Sequence, residues 1–266
     1  LSKKSGQFVA VSTGMLLAGH ISVRSLSELK NADVVFCLVP HPVIEEWLKQ
    51  VAKKVVSLQS LYAEGKHRMD TYEEMVSMMM KVVRLGKSVC GAFYGHAGVF
   101  AWAPHETIRQ AQAEGYHAYM EAGISAEACL YADLGIDPGN FGVQSYEASQ
   151  FLFFNHTPNN KAYLILWQIG LVGEHTAKKL STTKNRIRKF VEYLMKWYPP
   201  NHEVTIYEAQ VLPIDKVRKD TVRLDELEQE ELKLISTLVI PPAEKLTVNE
   251  ENLKVYGITA SEIAKR

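Results

Sequence analysis

The sequence predicts an α/β protein built from two units, and three patterns carry that expectation. Short apolar runs alternate with helix-length amphipathic segments through the first half, as strands and helices do around a mostly parallel sheet. A second group of longer strand candidates, separated by one long helical segment, follows near Gly123. At 266 residues and 29.9 kDa the chain buries roughly 32,000 Å² on folding, enough for a core in each unit.

In the first half, strands are predicted at 8–12, 33–38, 55–57, 88–93 and 117–120, with helices starting near Ser22, Pro42, Thr71 and Pro104. The third helix has the fullest signature. Asp70 can cap it, Glu73 can reach back, Met75, Val76, Met79, Val82 and Val83 form one apolar stripe, and Gly86 ends it. That Met-rich stripe reads as core. In the second half, strands at 163–168, 204–207 and 234–240 flank a helix over about 174–197. The expected division is residues 1–122, 123–245 and a polar tail or arm at 246–266.

Composition narrows the function. Thirty basic residues against thirty acidic ones leave no net charge, which argues against a broad nucleic-acid or acidic-membrane surface. The longest apolar stretch, residues 162–173, contains Gln168 and is too short for a bilayer span of about 20 residues. Cys37, Cys90 and Cys129 are odd in number and lie in apolar contexts, suiting buried thiols in the cytoplasm. Six basic residues over 178–189 are scattered around a predicted helix as a solvated face would have them, with an acidic counterpart at 225–231.

Several chemistries drop out. The nine histidines show no HExxH, no paired CxxC and no EF-hand spacing, so no metal site is expected. There is no Walker A loop and no GxSxG elbow, and Ser12-Thr-Gly14 lacks the GxGxxG fingerprint. What remains is a set of strand ends, where α/β proteins build clefts: 12–14, 94–98, 123–126 and Gln168. In Tyr94-Gly-His-Ala-Gly-Val-Phe100 the two glycines allow close backbone approach to a ligand, while His96 and Phe100 offer a polar edge and an apolar wall; a plain strand-to-helix turn is the alternative. Ser125 is either a ligand contact or only a helix cap. The most unusual cluster spans 62–72, where Tyr62, Arg68 and Tyr72 can converge at a helix start. The guanidinium and the helix dipole would there favour a phenolate or an anion, unless the loop is only anchored by its tyrosine.

Taken in order, the 62–72 loop, YGHAGVF at Tyr94, GISAEACLYADLGIDPGN at Gly123, YEASQFLF at Tyr146, LWQIGLVG at Leu166 and STLVIPPA at Ser236 resemble the borosin peptide backbone α-N-methyltransferases, within the tetrapyrrole methylase fold superfamily. The resemblance covers nearly the whole chain. It implies a two-domain α/β tetrapyrrole-methylase-like fold with the cofactor cleft between the domains. The implied donor is S-adenosyl-L-methionine, leaving S-adenosyl-L-homocysteine, among His96, Val99, Phe100, Ser125, Ala126, Cys129, Gln168, Ala209, Ser236 and Thr237. Tyr62, Arg68 and Tyr72 are implied in catalysis, with Tyr94 lining the reacting amide. Two positions depart from the pattern: Ser12 stands where a glycine is usual, and Ala97 where a proline is expected, a change expected to loosen the loop.

The chemistry calls for such a trio. An amide nitrogen shares its lone pair with the carbonyl, so it is a poor nucleophile until its proton leaves. Arg68 is expected to make a phenolate available, with Tyr62 as base and Tyr72 and Arg68 holding the imidate oxygen, although the two phenols can exchange roles. Because 24 residues follow Pro242 and none form an apolar peptide, the substrate is expected on a separate precursor chain. The product class is ribosomal peptide natural products. The family also implies a homodimer whose second subunit helps form the substrate path, a heterotetramer with the precursor. A methyltransferase acting on a tetrapyrrole or another small molecule is the rival enzyme, and a non-catalytic peptide binder the third class.

Overall fold

The computed structural model describes residues 5–63 and 65–263. Five strands, β1 (Gln7–Ser12), β2 (Val34–Leu38), β3 (Val55–Ser57), β4 (Ser88–Phe93) and β5 (His117–Met120), make an all-parallel sheet in the order β3-β2-β4-β1-β5. Both faces are covered, so alternate residues of β1 feed two cores. Val9 and Val11 pack with Leu29 of helix α1 (Val23–Asn31) and with Ile44 and Leu48 of α2 (Pro42–Val51). Phe8 and Ala10 pack instead with the methionine stripe of α3 (Arg68–Arg84) and with Ala103 and Ala111 of α4 (Trp102–Ala113).

This strand order places the site. The chain leaves β1 for β2 on one side and leaves β4 for β5 on the other, so the loops after the adjacent strands β1 and β4 diverge. The crevice at such a switch point, at the carboxyl ends of the strands, is where open α/β sheets bind ligands.

The second sheet is mixed, in the order β6-β7-β10-β8-β9, formed by β6 (Val143–Glu147), β7 (Tyr163–Trp167), β8 (Glu203–Glu208), β9 (Arg218–Arg223) and β10 (Thr237–Ile240). Only β6 and β7 run parallel. Helices α5 (Ala126–Leu134), α6 (Pro138–Phe141) and α7 (Ala148–Phe153) precede β7, and α8 (Lys184–Leu194) lies between β7 and β8. Phe151, Phe190, Leu194 and Tyr198 fill its main core. The tail carries α9 (Glu250–Tyr256) and α10 (Ala260–Ile263), with Val255 and Tyr256 exposed.

Four expectations need correction. Helix α3 begins at Arg68, because His67 Nδ1 accepts the Met69 N–H at 3.2 Å and caps it in place of Asp70. The predicted 174–197 helix is confined to Lys184–Leu194, since Gly173 and Ala177 adopt left-handed backbone and Thr183 supplies the cap. The last strand starts at Thr237 rather than Leu234, because Ser236 closes a turn whose N–H reaches the Lys233 carbonyl. Strands β6 and β9 were not anticipated: VQSYE and RKDTVR carry little apolar alternation, and each stands at a sheet edge. Among the basic residues of 178–189, Arg188 pairs with Glu228 of the acidic segment at 2.7 Å, as a solvated face does.

Among the described residues, no helix is long and apolar enough to cross a membrane, and no group of three potential metal ligands occurs. Cys37 is buried, and burial pushes its thiol up to about 12, so it behaves as a small core residue.

After β7 the chain turns through a short 3-10 segment, Ile169–Leu171, in which Gly170 meets the backbone of the loop before β10. A Cβ at Gly170 would lie 2.1 Å from the Lys233 carbonyl oxygen. Gly170→Ala should therefore lower stability by about 1–3 kcal/mol, seen as a reduced urea midpoint at unchanged slope.

Candidate functional site

The loops after β1 and β4 are stitched backbone to backbone. Thr13 N–H donates to the Phe93 carbonyl at 2.8 Å, and Gly14 and Gly95 exchange N–H to carbonyl bonds of 3.2 and 2.9 Å. Both glycines adopt positive φ, +72° and +63°, which side chains disfavour. The Ser12 hydroxyl accepts the Ala97 N–H at 3.0 Å inside the protein. The expected loosening of the loop by Ala97 is therefore corrected: the N–H that a proline lacks is bonded by the hydroxyl that a glycine lacks.

Within the loop, His96 Nδ1 accepts the Gly98 N–H at 3.0 Å, and His105 Nε2 meets the Gly98 carbonyl at 2.9 Å. Val99 and Phe100 stay open, Phe100 with 56% exposure and φ of +51°. The Phe100 ring stands 6.1 Å from Trp167 at the end of β7, which brings the two sheets' strand ends together.

On the second unit, Ser125 caps α5 by accepting the Ala128 N–H at 3.4 Å. Ala126 and Cys129, on α5, pack with Trp167, Tyr207 and Ala209 in one apolar cluster. Cys129 Sγ lies 3.8 Å from His20 Nδ1, on the segment after β1. Gln168 follows Trp167 in the left-handed region at φ of +57°, and its side chain makes no capping bond. The next N–H, of Ile169, donates to the Ser236 carbonyl at 3.0 Å. Buried Ser236 donates its hydroxyl to Glu208 at 2.7 Å, and Thr237 pairs with Tyr207. Ala209 also lines a cavity of about 350 Å³ with Glu208, Val211 and Lys233. The ten residues expected around a cofactor thus fall on neighbouring strand ends and the helix start beside them.

The aromatic cluster is assembled by α3 and the turn before it. Arg68 is the first helical residue and Tyr72 stands four positions on, so both face one side. Tyr72, Tyr94 and Arg68 stand close enough to Tyr62 to act on its hydroxyl. Burial, then the Tyr72 phenol and Tyr94, push the Tyr62 hydroxyl above its ordinary value; Arg68 pulls it down by less. Burial and Tyr72 push Tyr94 up too. Arg68 lowers Tyr62 as expected, but burial raises it by more, so the guanidinium alone does not bring this phenol below its ordinary value.

Arg68 has a second partner that the sequence did not reveal. Its Nη2 faces Glu174 Oε2 at 3.9 Å, the guanidinium side chain 25% and the carboxylate side chain 0% exposed. Oε2 makes no hydrogen bond among the described residues, whereas Oε1 accepts from the Thr176 N–H and hydroxyl. Burial alone would raise the Glu174 carboxyl, but the Thr176 hydroxyl and N–H, with the nearby Lys179 and Ala177 backbone, hold it below the usual range. The Ala177 carbonyl accepts the Arg68 N–H at 3.0 Å, so one turn of the second unit grips Arg68 twice. In sequence this turn is only Gly-Glu-His-Thr, too common a string to single out.

Residues 7–225 match the family of tetrapyrrole (corrin/porphyrin) methylases. The chain belongs to this family. It is a methyltransferase of the tetrapyrrole methylase fold. It is 36% identical over 97% of its length to a methyltransferase/ribosomally synthesized type I borosin cyclic peptide precursor of Coprinopsis marcescibilis. It is 36% identical over 95% of its length to the methyltransferase/ribosomally synthesized cyclic peptide dendrothelin A precursor of Dendrothele bispora, and 39% identical over 91% to the methyltransferase/ribosomally synthesized cyclic peptide gymnopeptides precursor of Gymnopus fusipes. The chain spans 68, 61 and 59% of those three relatives. Among solved structures, cobalt precorrin-4 methyltransferase superposes with a TM-score of 0.63 at 16% identity, covering 88% of this chain and 94% of that one. Uroporphyrin-III-C-methyltransferase from Thermus thermophilus gives 0.61 at 16% identity, covering 90% and 93%. These structural likenesses concern the methylase fold alone.

The Arg68–Glu174 pair carries a stability consequence. Arg68→Ala leaves a buried carboxylate without its counter-charge, which should cost about 1–3 kcal/mol. Adding Glu174→Gln should return part of that loss, measured by urea unfolding of the two single variants and the double.

Proposed function

We propose that this methylase transfers a methyl group from S-adenosylmethionine to backbone amide nitrogens of a precursor peptide supplied as a separate chain. The observation that carries the reading is the Tyr62, Arg68, Tyr72 and Tyr94 cluster beside the β4 loop, since phenols and a guanidinium suit amide ionisation and a tetrapyrrole carbon has little need of them. The names of these three relatives, each joining methyltransferase to peptide precursor, support the substrate class.

The residues present fit the donor. Val99, Phe100, Ala126 and Ala209 offer apolar walls, His96, Gln168, Ser236 and Thr237 polar edges, and Ser125 and Cys129 sit at the start of α5. When bound, S-adenosylmethionine supplies an electrophilic methyl on a sulfonium. The chain's own groups prepare the nucleophile. Tyr62, once ionised with help from Arg68, takes the amide proton. Charge then gathers on the amide oxygen, where Arg68 and Tyr72 hydrogen-bond it. The amide nitrogen would then be the nucleophile toward that methyl, with the sulfonium leaving as a neutral thioether, and Tyr62 would pass its proton to water. Tyr94 lines the amide's position.

We assign residues 1–122 to the first unit, 123–245 to the second and 246–266 to an arm. A homodimer in the cytoplasm, joined by the precursor as a heterotetramer, completes the reading.

Incubating the purified chain with S-adenosylmethionine, alone and with the part of the Gymnopus fusipes relative that it does not span, should give 14 Da gains on backbone nitrogens of the added peptide, located by tandem mass spectrometry. Gains on the chain itself would instead make the substrate internal. Tyr62→Phe and Arg68→Ala should lower kcat by about 10²–10³-fold while S-adenosylhomocysteine still binds. Because Tyr62 lies above the ordinary phenol value of about 10, kcat should climb from pH 7 to 9.5 without a plateau, as the base form becomes more populated. A plateau near pH 7 would point to another base.

A further inference from the structure

The hydroxyl that fastens the 94–100 loop stands where three strand ends meet. Ser12 closes β1 and is 1% exposed. On one side its Oγ accepts the Ala97 N–H at 3.0 Å. On the other it abuts Gly123, three residues past the end of β5, where a Cβ would lie 2.1 Å from the Ser12 Cβ and 2.4 Å from its Oγ. One small side chain is therefore wedged between the loop that carries Tyr94, His96 and Phe100 and the loop that leads through Ser125 into α5.

Other bonds hold the loop less far along. The glycine bridge secures it at Gly95, and the bonds beyond that point run within the loop, from Gly98 and Val99 to His96, or to His105 of α4. The tie at Ala97 is what returns the middle of the loop to the sheet. Ala97 is fully buried, and its N–H would otherwise face no water, so without Ser12 the loop must shift to satisfy that donor.

We propose that Ser12 is a positioning residue, whose hydroxyl sets the spacing of the two loops that shape the donor pocket. The proposal rests on the cofactor reading given above. It also means that residue 12 and residue 97 act as one unit: a change at either side breaks the same bond, and a change at both sides leaves neither group unpaired.

The test is calorimetric titration of the purified chain with S-adenosylhomocysteine, for wild type, Ser12→Ala, Ala97→Pro and the double variant, with Ala97 amide exchange as a ligand-free readout. Ser12→Ala should weaken binding about three- to tenfold and speed exchange at Ala97. Adding it to Ala97→Pro should cost no more than Ala97→Pro alone. Should Ala97→Pro not fold, Ser12→Cys decides, since a thiol fills the space but is a weak acceptor and should behave as Ser12→Ala does. Wild-type affinity in Ser12→Ala or Ser12→Cys, or losses that multiply in the double variant, would overturn the proposal. If wild type itself fails to bind at millimolar ligand, the cofactor reading falls and this inference with it; if wild type binds and the Ser12 variants bind as tightly, the inference alone falls.

Discussion

The parallel pairing of β1 with β4 is the constraint on which the site depends, because it brings together two loops that leave the sheet in opposite directions. Six residue pairs, from Gln7 with Ser88 to Ser12 with Phe93, hold the strands in register. A slip of one residue would move Phe8 and Ala10 into the face now filled by Val9 and Val11. It would also part Gly14 from Gly95, which bridge there with both backbones at positive φ, a conformation that side chains disfavour. Core packing and site geometry are thus settled by the same register.

The second constraint is electrical. Burial, with the neighbouring phenols, raises Tyr62 and Tyr94, and the guanidinium beside them faces a buried carboxylate. That arrangement avoids leaving an unpaired charge inside the resting protein. It also keeps most of the Arg68 donors free, because Glu174 stands at 3.9 Å, beyond hydrogen-bond range. An oxygen that gains charge during reaction would find donors already in place.

Much of the first unit was legible in the sequence. Buried parallel strands read as apolar runs, and 55–57, 88–93 and 117–120 were placed to the residue. Tyr62, Arg68 and Tyr72 were legible as a cluster because two phenols and a guanidinium around a helix start are uncommon. The α3 boundary was misplaced, since an imidazole cap at His67 has no entry in the usual capping preferences and Asp70 fits them well. The field at Tyr62 was legible only in part: sequence displays the charge of Arg68 but not the burial that opposes it. Glu174 and the Ser12 to Ala97 bond were invisible because each joins residues far apart in the chain, 106 and 85 positions respectively.

The charged edge strand β9 bears on how copies of this protein can associate. The strand carries Arg218, Lys219, Asp220 and Arg223, of which Arg218 and Arg223 are already tied to carboxylates on their own chain. A neighbouring strand laid alongside would have to displace those ion pairs and bury like charges against one another. Sheet extension into ribbons is blocked on that flank, so molecules meeting there are steered toward face-to-face contact rather than continued pleating.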